Sequence, residues 1–528
     1  MTTATPPRLP RGMRDLLPEQ ARRRRFVVDQ LIKTFEAFGF EPLETPAVEL
    51  DSTLKGKYGP DAERLIYRAG LGAEDDLGLR YDLTVPLARV VATYDALPRP
   101  FRRYQVAPVW RGERPQRGRY REFVQADVDI VGTTSLLADA EIIAVVIRAL
   151  EALGLPATTT LINNRKLVDA IGAFAGVPDA LLPGLYRAID KLDRIGLGGV
   201  RRELRGVGLP GELLNRMRQA VGRWLRGQAD RERLAEDLGG ALGPSDPAGA
   251  GEGVAAYLRA LTAVAQGPAD PVRDAAVEAE AMTAGIDALR GAYPSAQLIA
   301  DDATERLLDL LAETGAATDV LQTLRARLGP GADAGAAELE EVLSALAAAG
   351  IDAERYRVDV RMVRGLEYYT GTIFETVVPD PPIGSITGGG RYDRLIRLFG
   401  PDLPAVGTSL GVDRLVDVMD SLGLFPAALG EATARVLVAR FGGGDSSASV
   451  ALASTLRAAG VPTELFLGEA ALGDQIRYAL RRGMRAVVIQ GPDELAAGTV
   501  AVRDLAIGRQ RALDPSELAA AVGAILAA

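Results

Sequence analysis

The stretch Trp110 to Gly132, WRGERPQRGRYREFVQADVDIVG, gathers five arginines (Arg111, Arg114, Arg117, Arg119 and Arg121) around Pro115 and Gly118. Like charges crowded at one turn repel each other, so the loop is expected to meet an anion unless it is a solvated basic hairpin tip. Past the turn the pattern has period two. Arg121, Phe123, Gln125, Asp127 and Asp129 share one face, and Val124, Ala126, Val128 and Ile130 share the other. The apolar set is a core face. The polar set could be a solvent face, but it also suits the floor of a site: Arg for a phosphate, Phe for stacking on a base, acids for an amine.

Composition narrows the chemistry. The chain has 528 residues, no Cys and no His. That removes disulfides, thiol nucleophiles, Ser-His-Asp catalysis and the usual zinc clusters. A divalent metal could bind only through oxygen ligands, which suits Mg²⁺. The only Gly-Lys pair, Gly56-Lys57, is followed by Tyr58, so there is no P-loop. Lys occurs only at 33, 55, 57, 166 and 191, and Arg supplies the rest of the 61 basic residues. A net charge of −9 argues against a generally adhesive polyanion binder but not against local Arg clusters that hold nucleic acid. No apolar run reaches about 18 residues, so no transmembrane helix is expected. The polar, Pro-rich start lacks a secretory core, and a cytoplasmic protein is expected.

The elements that must position these residues can be read along the chain. At about 150 residues per domain the length allows roughly three or four domains. Glu19 to Phe38 reads as an amphipathic helix with Val27, Leu31, Phe35 and Phe38 on one stripe, ended by Gly39. Phe40 to Pro46 reads as a strand. From about 163 to 350 helical patterns dominate, broken by Gly- and Ala-rich stretches such as Gly239–Gly253. Motifs return from Val358 to about Met419. After a loop, strands near Arg435–Arg440, Thr463–Phe466, Ala486–Gln490 and Thr499–Asp504 alternate with helices Ser446–Ala459 and Leu472–Arg482, a small α/β domain.

With the elements in place, a resemblance follows. Arg111-Gly112-Glu113, a loop, then Arg121-x-Phe123 resembles motif 2 of the class II aminoacyl-tRNA synthetases. Phe40 to Pro46 resembles motif 1, which builds the dimer interface, and Gly407 to Arg414 (GTSLGVDR) resembles motif 3. Within that class the chain resembles the histidyl-tRNA synthetase family. The stretches that carry this are VRGLEYYTGTIFE from Val363, TGGGRYD from Thr387, RGMRDLLP from Arg11 and LRYDLTVPLAR from Leu79, with a helical insertion in the family's place. The resemblance covers about 8–195 and 351–528 and thins to nothing between about 225 and 300. It implies an α+β protein with a class II antiparallel-sheet catalytic core and a C-terminal α/β anticodon-binding domain. The expected divisions are 1–162 (motifs 1 and 2), 163–350 (helical insertion), 351–425 (histidine-specific motifs and motif 3) and 432–528 (anticodon binding).

The resemblance also implies roles. Arg111 and Arg364 would be catalytic, on either side of the transferring phosphoryl group. Arg111, Glu113, Phe123 and Arg414 would bind ATP, carried with Mg²⁺ and with no metal site in the protein itself. Asp82, Thr84, Gln125, Asp129, Arg364, Tyr368 and Tyr369 would bind histidine, with Asp129 and Tyr369 reading the imidazole. Arg114, Gln116 and Arg117 would meet the tRNA acceptor end, and Arg477 and Arg481, at i and i+4 on one helix, the anticodon. The chain departs from the family at three places: Asp82 where bacterial members usually have Glu, Val124 where a His is usual, and Glu367 for the commoner Asp. From composition alone, Tyr368-Tyr369 suits a buried strand and Gly388-Gly389-Gly390 a turn. In motif context they are expected to line the site.

The implied reaction is ATP-dependent attachment of histidine to its tRNA through a histidyl-adenylate, by a homodimer. Its first step is attack of an amino-acid carboxylate on the α-phosphorus. The nucleophile is already ionised, so no general base and no His are needed. Alignment and charge neutralisation carry such a step. The competing expectation is a non-catalytic relative, the regulatory subunit of ATP phosphoribosyltransferase, which lacks the C-terminal domain.

Overall fold

The computed structural model describes residues 7–55, 63, 65–70, 76–115, 118–155, 157–209, 298–363, 365, 368–430, 432–441 and 446–527, with scattered positions between 210 and 297. They fall into two compact units, Met1–Arg14 with Val27–Val418, and Asp15–Phe26 with Met419–Ala528.

The larger unit is organised by an eight-stranded sheet. Its strands in chain order are β1 (Glu41–Pro42), β4 (Phe101–Trp110), β5 (Glu122–Val131), β6 (Thr159–Asn164), β7 (Tyr356–Val358), β8 (Thr372–Val377), β9 (Ser385–Arg391) and β10 (Ala405–Gly411); β2 (Val48–Leu50) and β3 (Leu77–Leu79) form a separate pair. The spatial order is β1-β4-β5-β10-β9-β8-β6-β7. β1 with β4 and β6 with β7 are parallel, and the other pairings are antiparallel. The fold is α+β, as expected.

Register decides which residues meet. Arg103, Asp129, Gly407 and Gly390 lie in one row across β4, β5, β10 and β9. Gln105, Asp127, Ser409 and Gly388 lie in the next. Rows two residues apart share a face, so the polar face read from β5 continues across four strands. The opposite face of β5 is core: Ala126, Val128 and Ile130 are buried. The helix Leu136–Ala152 packs there and buries Ile142, Ile143 and Val146. Its Asp139 is ion-paired with Arg391 of β9, whose Nη1 and Nη2 also donate to the Thr133 and Ser135 carbonyls at 3.0 Å.

One expectation is corrected. Only Glu41–Pro42 of the segment 40–46 is strand. Pro42 and Pro46 lack an N–H donor, and the carbonyls of Thr45 and Pro46 accept from Arg80 Nη1 at 2.7 and 3.3 Å instead of from a neighbouring strand. The first division, placed at 162, falls inside β6, which runs on to Asn164 and pairs there with Thr372. The helices Arg165–Phe174, Leu182–Ile189, Leu192–Gly206, Asp301–Leu311, Ala317–Leu328 and Asp333–Ala348 follow in the expected region. Gly239–Gly253 lies outside the described residues. The amphipathic helix is Pro18–Ala37, with Val27, Leu31 and Phe35 of the expected stripe buried, while Phe38 lies past its end and is half-buried.

The smaller unit has a five-stranded sheet, with β11 (Val436–Val438), β12 (Thr463–Leu465), β13 (Ala486–Ile489), β14 (Val500–Asp504) and β15 (Gln510–Leu513) in the order β12-β11-β13-β14-β15. Alternation divides its core: Val436, Val438 and Val488 pack with Leu452 and Leu456 on one side, Leu437, Val487 and Ile489 with Ala479 on the other. Among the described residues no single helix is long and apolar enough to cross a membrane.

Candidate active site

A cavity of about 450 Å³ opens on the polar face of the large sheet. Phe123, Gln125 and Asp129 of β5 line it, with Gly407 and Ser409 of β10, Gly388 of β9, Asp82 and Thr84 at the start of the helix Thr84–Thr93, and Tyr368, Tyr369 and Tyr392. Arg111, Glu113 and Arg414 complete the wall on the side of the arginine-rich loop. Phe123 and Asp129 are six positions apart on β5, about 20 Å at roughly 3.4 Å per residue, so the floor has two ends.

At the acidic end, Asp127 and Asp129 both feel the charge of Arg103, with Asp82 close by. Arg103 is fully buried, and its Nη2 lies 2.7 Å from Asp129 Oδ2 and donates to the Leu83 carbonyl at 3.2 Å. Tyr392 OH donates to Asp129 Oδ1. Asp82 Oδ1 accepts from the Val85 amide at 3.0 Å and so holds the helix start. Burial raises the Asp129 carboxyl against the opposing pull of Arg103 and Tyr392. Burial pushes Asp127 up to about 7, opposed first by Arg103. Gln125 Nε2 donates to Ser409 Oγ, while Gln125 Oε1, Asp127 Oδ1 and Arg103 Nε and Nη1 have no hydrogen-bond partner among the described residues. Buried polar atoms are ordinarily satisfied, and of these Gln125 Oε1, on a residue that lines the cavity, is an acceptor open to a ligand N–H donor. Tyr368 and Tyr369 stack with ring centroids 4.2 Å apart beside it, and burial lifts both phenols above their usual range.

Glycines fit side chains to both faces of the sheet here. A Cβ on Gly407 would overlap the Asp129 carboxylate. One on Gly389 would lie 2.6 Å from Thr408 Cβ and 2.8 Å from Phe374 Cζ. Gly388, with nothing within 4 Å of a built Cβ, faces the open cavity.

At the other end, Arg111 Nε donates to the Tyr81 carbonyl at 2.9 Å, and its guanidinium carbon sits 5.2 Å from the Phe123 ring centroid. Arg414 Nε donates to the Gly118 carbonyl at 3.0 Å, and its Nη1 to the Ser385 carbonyl. These carbonyls orient two cations and an aromatic ring on one wall, a cradle for a phosphorylated planar ligand.

Of the nominated residues, Asp82, Thr84, Arg111, Glu113, Phe123, Gln125, Asp129, Tyr368, Tyr369 and Arg414 all line this one cavity. Arg114 is exposed on the loop. Arg364, Gln116 and Arg117 lie outside the described residues. Arg477 and Arg481 are exposed on the helix Leu472–Arg481 of the smaller unit, where Arg477 pairs with Asp474. Arg103, Tyr392 and Ser409 were not nominated. The signal for Arg103 was its phase with Gln105 on β4, visible only once that strand is paired with β5.

Comparison with known proteins gives a consistent result. A family model described as histidyl-tRNA synthetase matches residues 12–273 and 269–415, and an anticodon binding domain matches 436–525. The histidine–tRNA ligase of Gloeobacter violaceus is 38% identical, covering 94% of each chain. That of Aeropyrum pernix is 35% identical over 98% of each. The crystal structure of histidyl-tRNA synthetase from Nostoc sp. PCC 7120 superposes with a TM-score of 0.68 at 26% identity, covering 98% of this chain and 99% of that one.

Proposed function

The chain belongs to the histidyl-tRNA synthetase family and joins histidine to tRNA, and on that premise we propose how the cavity on the large sheet divides between histidine and ATP. The acidic end takes histidine: Asp82, Thr84 and Gln125 hold the α-ammonium, and Asp129 and Tyr369 meet the two ring nitrogens, with Tyr368 lining the pocket. The arginine end takes ATP: Phe123 stacks on the adenine, Arg111 and Arg414 hold phosphates, and Glu113 lies near the adenine. The observation that carries this reading is the polarity of β5, with an aromatic ring beside Arg111 at one end and a carboxylate fixed by Arg103 and Tyr392 at the other.

In this reading the histidine carboxylate attacks the α-phosphorus, the new O–P bond forms and pyrophosphate leaves. Arg111 neutralises charge on the transferring group from one side, and Arg364 is assigned the other by family resemblance. Mg²⁺ carried on the nucleotide would supply further charge neutralisation at the phosphates. Among the described residues no three acidic groups are gathered as a metal site. In the second step a tRNA ribose hydroxyl attacks the acyl carbon and AMP leaves, with an adenylate phosphate oxygen taking the proton. Histidine selection rests on buried hydrogen bonds to both ring nitrogens. Such sites reject analogues that lack the bonding groups by as much as about 10⁴–10⁵-fold, so no editing domain is required.

The tRNA contacts proposed are Arg114, Gln116 and Arg117 for the acceptor end and Arg477 and Arg481 for the anticodon. The working form proposed is a cytoplasmic homodimer joined through the segment 40–46, beside which Val48 and Leu50 are exposed on β2. The reading as a regulatory subunit is not better supported, since the relatives above are ligases over nearly their whole length. The test is ATP–pyrophosphate exchange with each of the twenty amino acids. Exchange with histidine alone is expected. No exchange from a folded protein would overturn the assignment.

A further inference from the structure

The N-terminal motif Arg11-Gly-Met-Arg14 has no part in the reaction as described, yet it is bonded to both walls of the nucleotide end. The Arg121 amide donates to the Gly12 carbonyl at 2.8 Å, so the segment lies along the start of the returning limb of the arginine loop. Gly12 has φ +85°, and a Cβ there would sit 2.7 Å from Pro115 Cγ and 2.9 Å from Arg121 Cγ, so only glycine allows this approach.

Arg14 makes the connection. Its Nη2 donates to Asp413 Oδ1 at 2.6 Å, and its guanidinium lies 3.7 Å from the Tyr120 ring centroid. The other Asp413 oxygen accepts from the Val124 amide at 2.7 Å, next to Phe123. Tyr120 OH donates to Asp417 Oδ2 at 3.1 Å. Asp413 is the neighbour of Arg414, which itself donates to the Gly118 carbonyl at 3.0 Å. One guanidinium thus ties the loop that carries Arg111 and Phe123 to the helix start that carries Arg414. A planar, permanently charged group can stack and form the ion pair together, which a lysine cannot.

We propose that Arg14 is a positioning residue for the nucleotide subsite: it sets the spacing between Phe123 and Arg414 without touching substrate, and the segment Arg11–Arg14 acts as a strap across the back of that wall. This rests on the assignment of the arginine end to ATP. A displaced cradle weakens ATP binding and leaves the acidic end, built on Arg103, Asp129 and Tyr392, as it was.

The experiment is ATP–pyrophosphate exchange by the full chain with Arg14→Gln, Arg14→Lys and Phe123→Ala, titrating ATP and histidine separately and recording Tm for each. Arg14→Gln is expected to raise the KM for ATP by about tenfold, the effect of one charge-assisted hydrogen bond, with the KM for histidine unchanged. Arg14→Lys, which keeps the ion pair and loses the stack, should recover part of it. A rise for ATP with Phe123→Ala but none with Arg14→Gln overturns the strap and leaves the ATP assignment standing. No rise with either variant overturns both. Equal rises for ATP and histidine, or a fall in Tm alone, mean a merely structural Arg14 and overturn the proposal. If Arg14→Gln does not fold, Arg14→Lys and Tyr120→Leu, which removes the ring beneath the guanidinium, carry the same comparison.

Discussion

Arg103 and Asp129 face each other across β4 and β5, both fully buried, with guanidinium and carboxylate 2.7 Å apart. The carboxylate assigned to the imidazole is therefore held in place before any ligand arrives, by Arg103 on one oxygen and Tyr392 on the other. Replacing Arg103 by Met leaves Asp129 beside Asp127 without its buried ion-pair partner. Unfolding in urea should show a loss of about 3–5 kcal/mol, the usual result of breaking a buried pair from one side. Tyr392→Phe keeps the ring and deletes one donor. It should raise the KM for histidine about tenfold and leave that for ATP alone.

Asp127 makes stability depend on pH. Its carboxyl is raised from 3.8 to about 7, first by burial, with Arg103 opposing, Asp129 and Asp82 reinforcing and Ser409 bonding to it. Between those values the folded chain holds a proton that the unfolded chain has lost. Its contribution to stability therefore falls as pH rises through that window and is level above it. Asp127→Asn lacks this dependence, so its stability relative to the parent should grow from pH 5 to pH 8. Urea midpoints at the two pH values decide it, and an unchanged difference would remove Asp127 as the source. An ammonium bound nearby favours the ionised acid, so histidine binding near pH 7 should release a proton, seen by calorimetry in two buffers and absent in Asp127→Asn.

Neighbouring glycines separate packing from binding. Gly389→Ala forces a methyl to 2.6 Å from Thr408 Cβ and should destabilise the sheet by about 1–3 kcal/mol. Gly388→Ala meets nothing within 4 Å and projects into the cavity. It should melt like the parent but show a raised substrate KM. Thermal melts with pyrophosphate exchange on both variants make the comparison.

Arg477 and Arg481 belong to the smaller unit and line no part of the cavity. Reversing both charges (Arg477→Glu with Arg481→Glu) should leave pyrophosphate exchange within twofold and raise the KM for tRNA in charging by about tenfold or more. Equal charging kinetics would remove this helix face from the proposed anticodon contacts.

What the sequence made legible was local. Period two on β5 identified the face with Phe123, Gln125 and Asp129, and motifs marked the catalytic core and the C-terminal α/β domain. What escaped was non-local. Arg102 and Arg103 are adjacent and chemically alike, yet Arg102 pairs with Glu141 while Arg103 enters the site. Only register against β5 distinguishes them. Tyr392 meets Asp129 across 263 residues, and Arg14 meets Asp413 across 399. The strand expected at 40–46 failed for a related reason: a distant side chain, Arg80, takes its carbonyls.

The position of β10 bears on how the protein is made. It is the last strand of the large sheet in chain order, but it lies between β5 and β9. While the ribosome is still short of residue 411, β5 and β9 have no partner on their facing edges. The floor of the cavity therefore closes only when the nascent chain threads its final strand into the middle. In that interval β5 presents Asp127 and Asp129 along an open edge. Charges there discourage pairing with foreign strands, so the carboxylates of the finished enzyme's acidic end also guard its unfinished sheet.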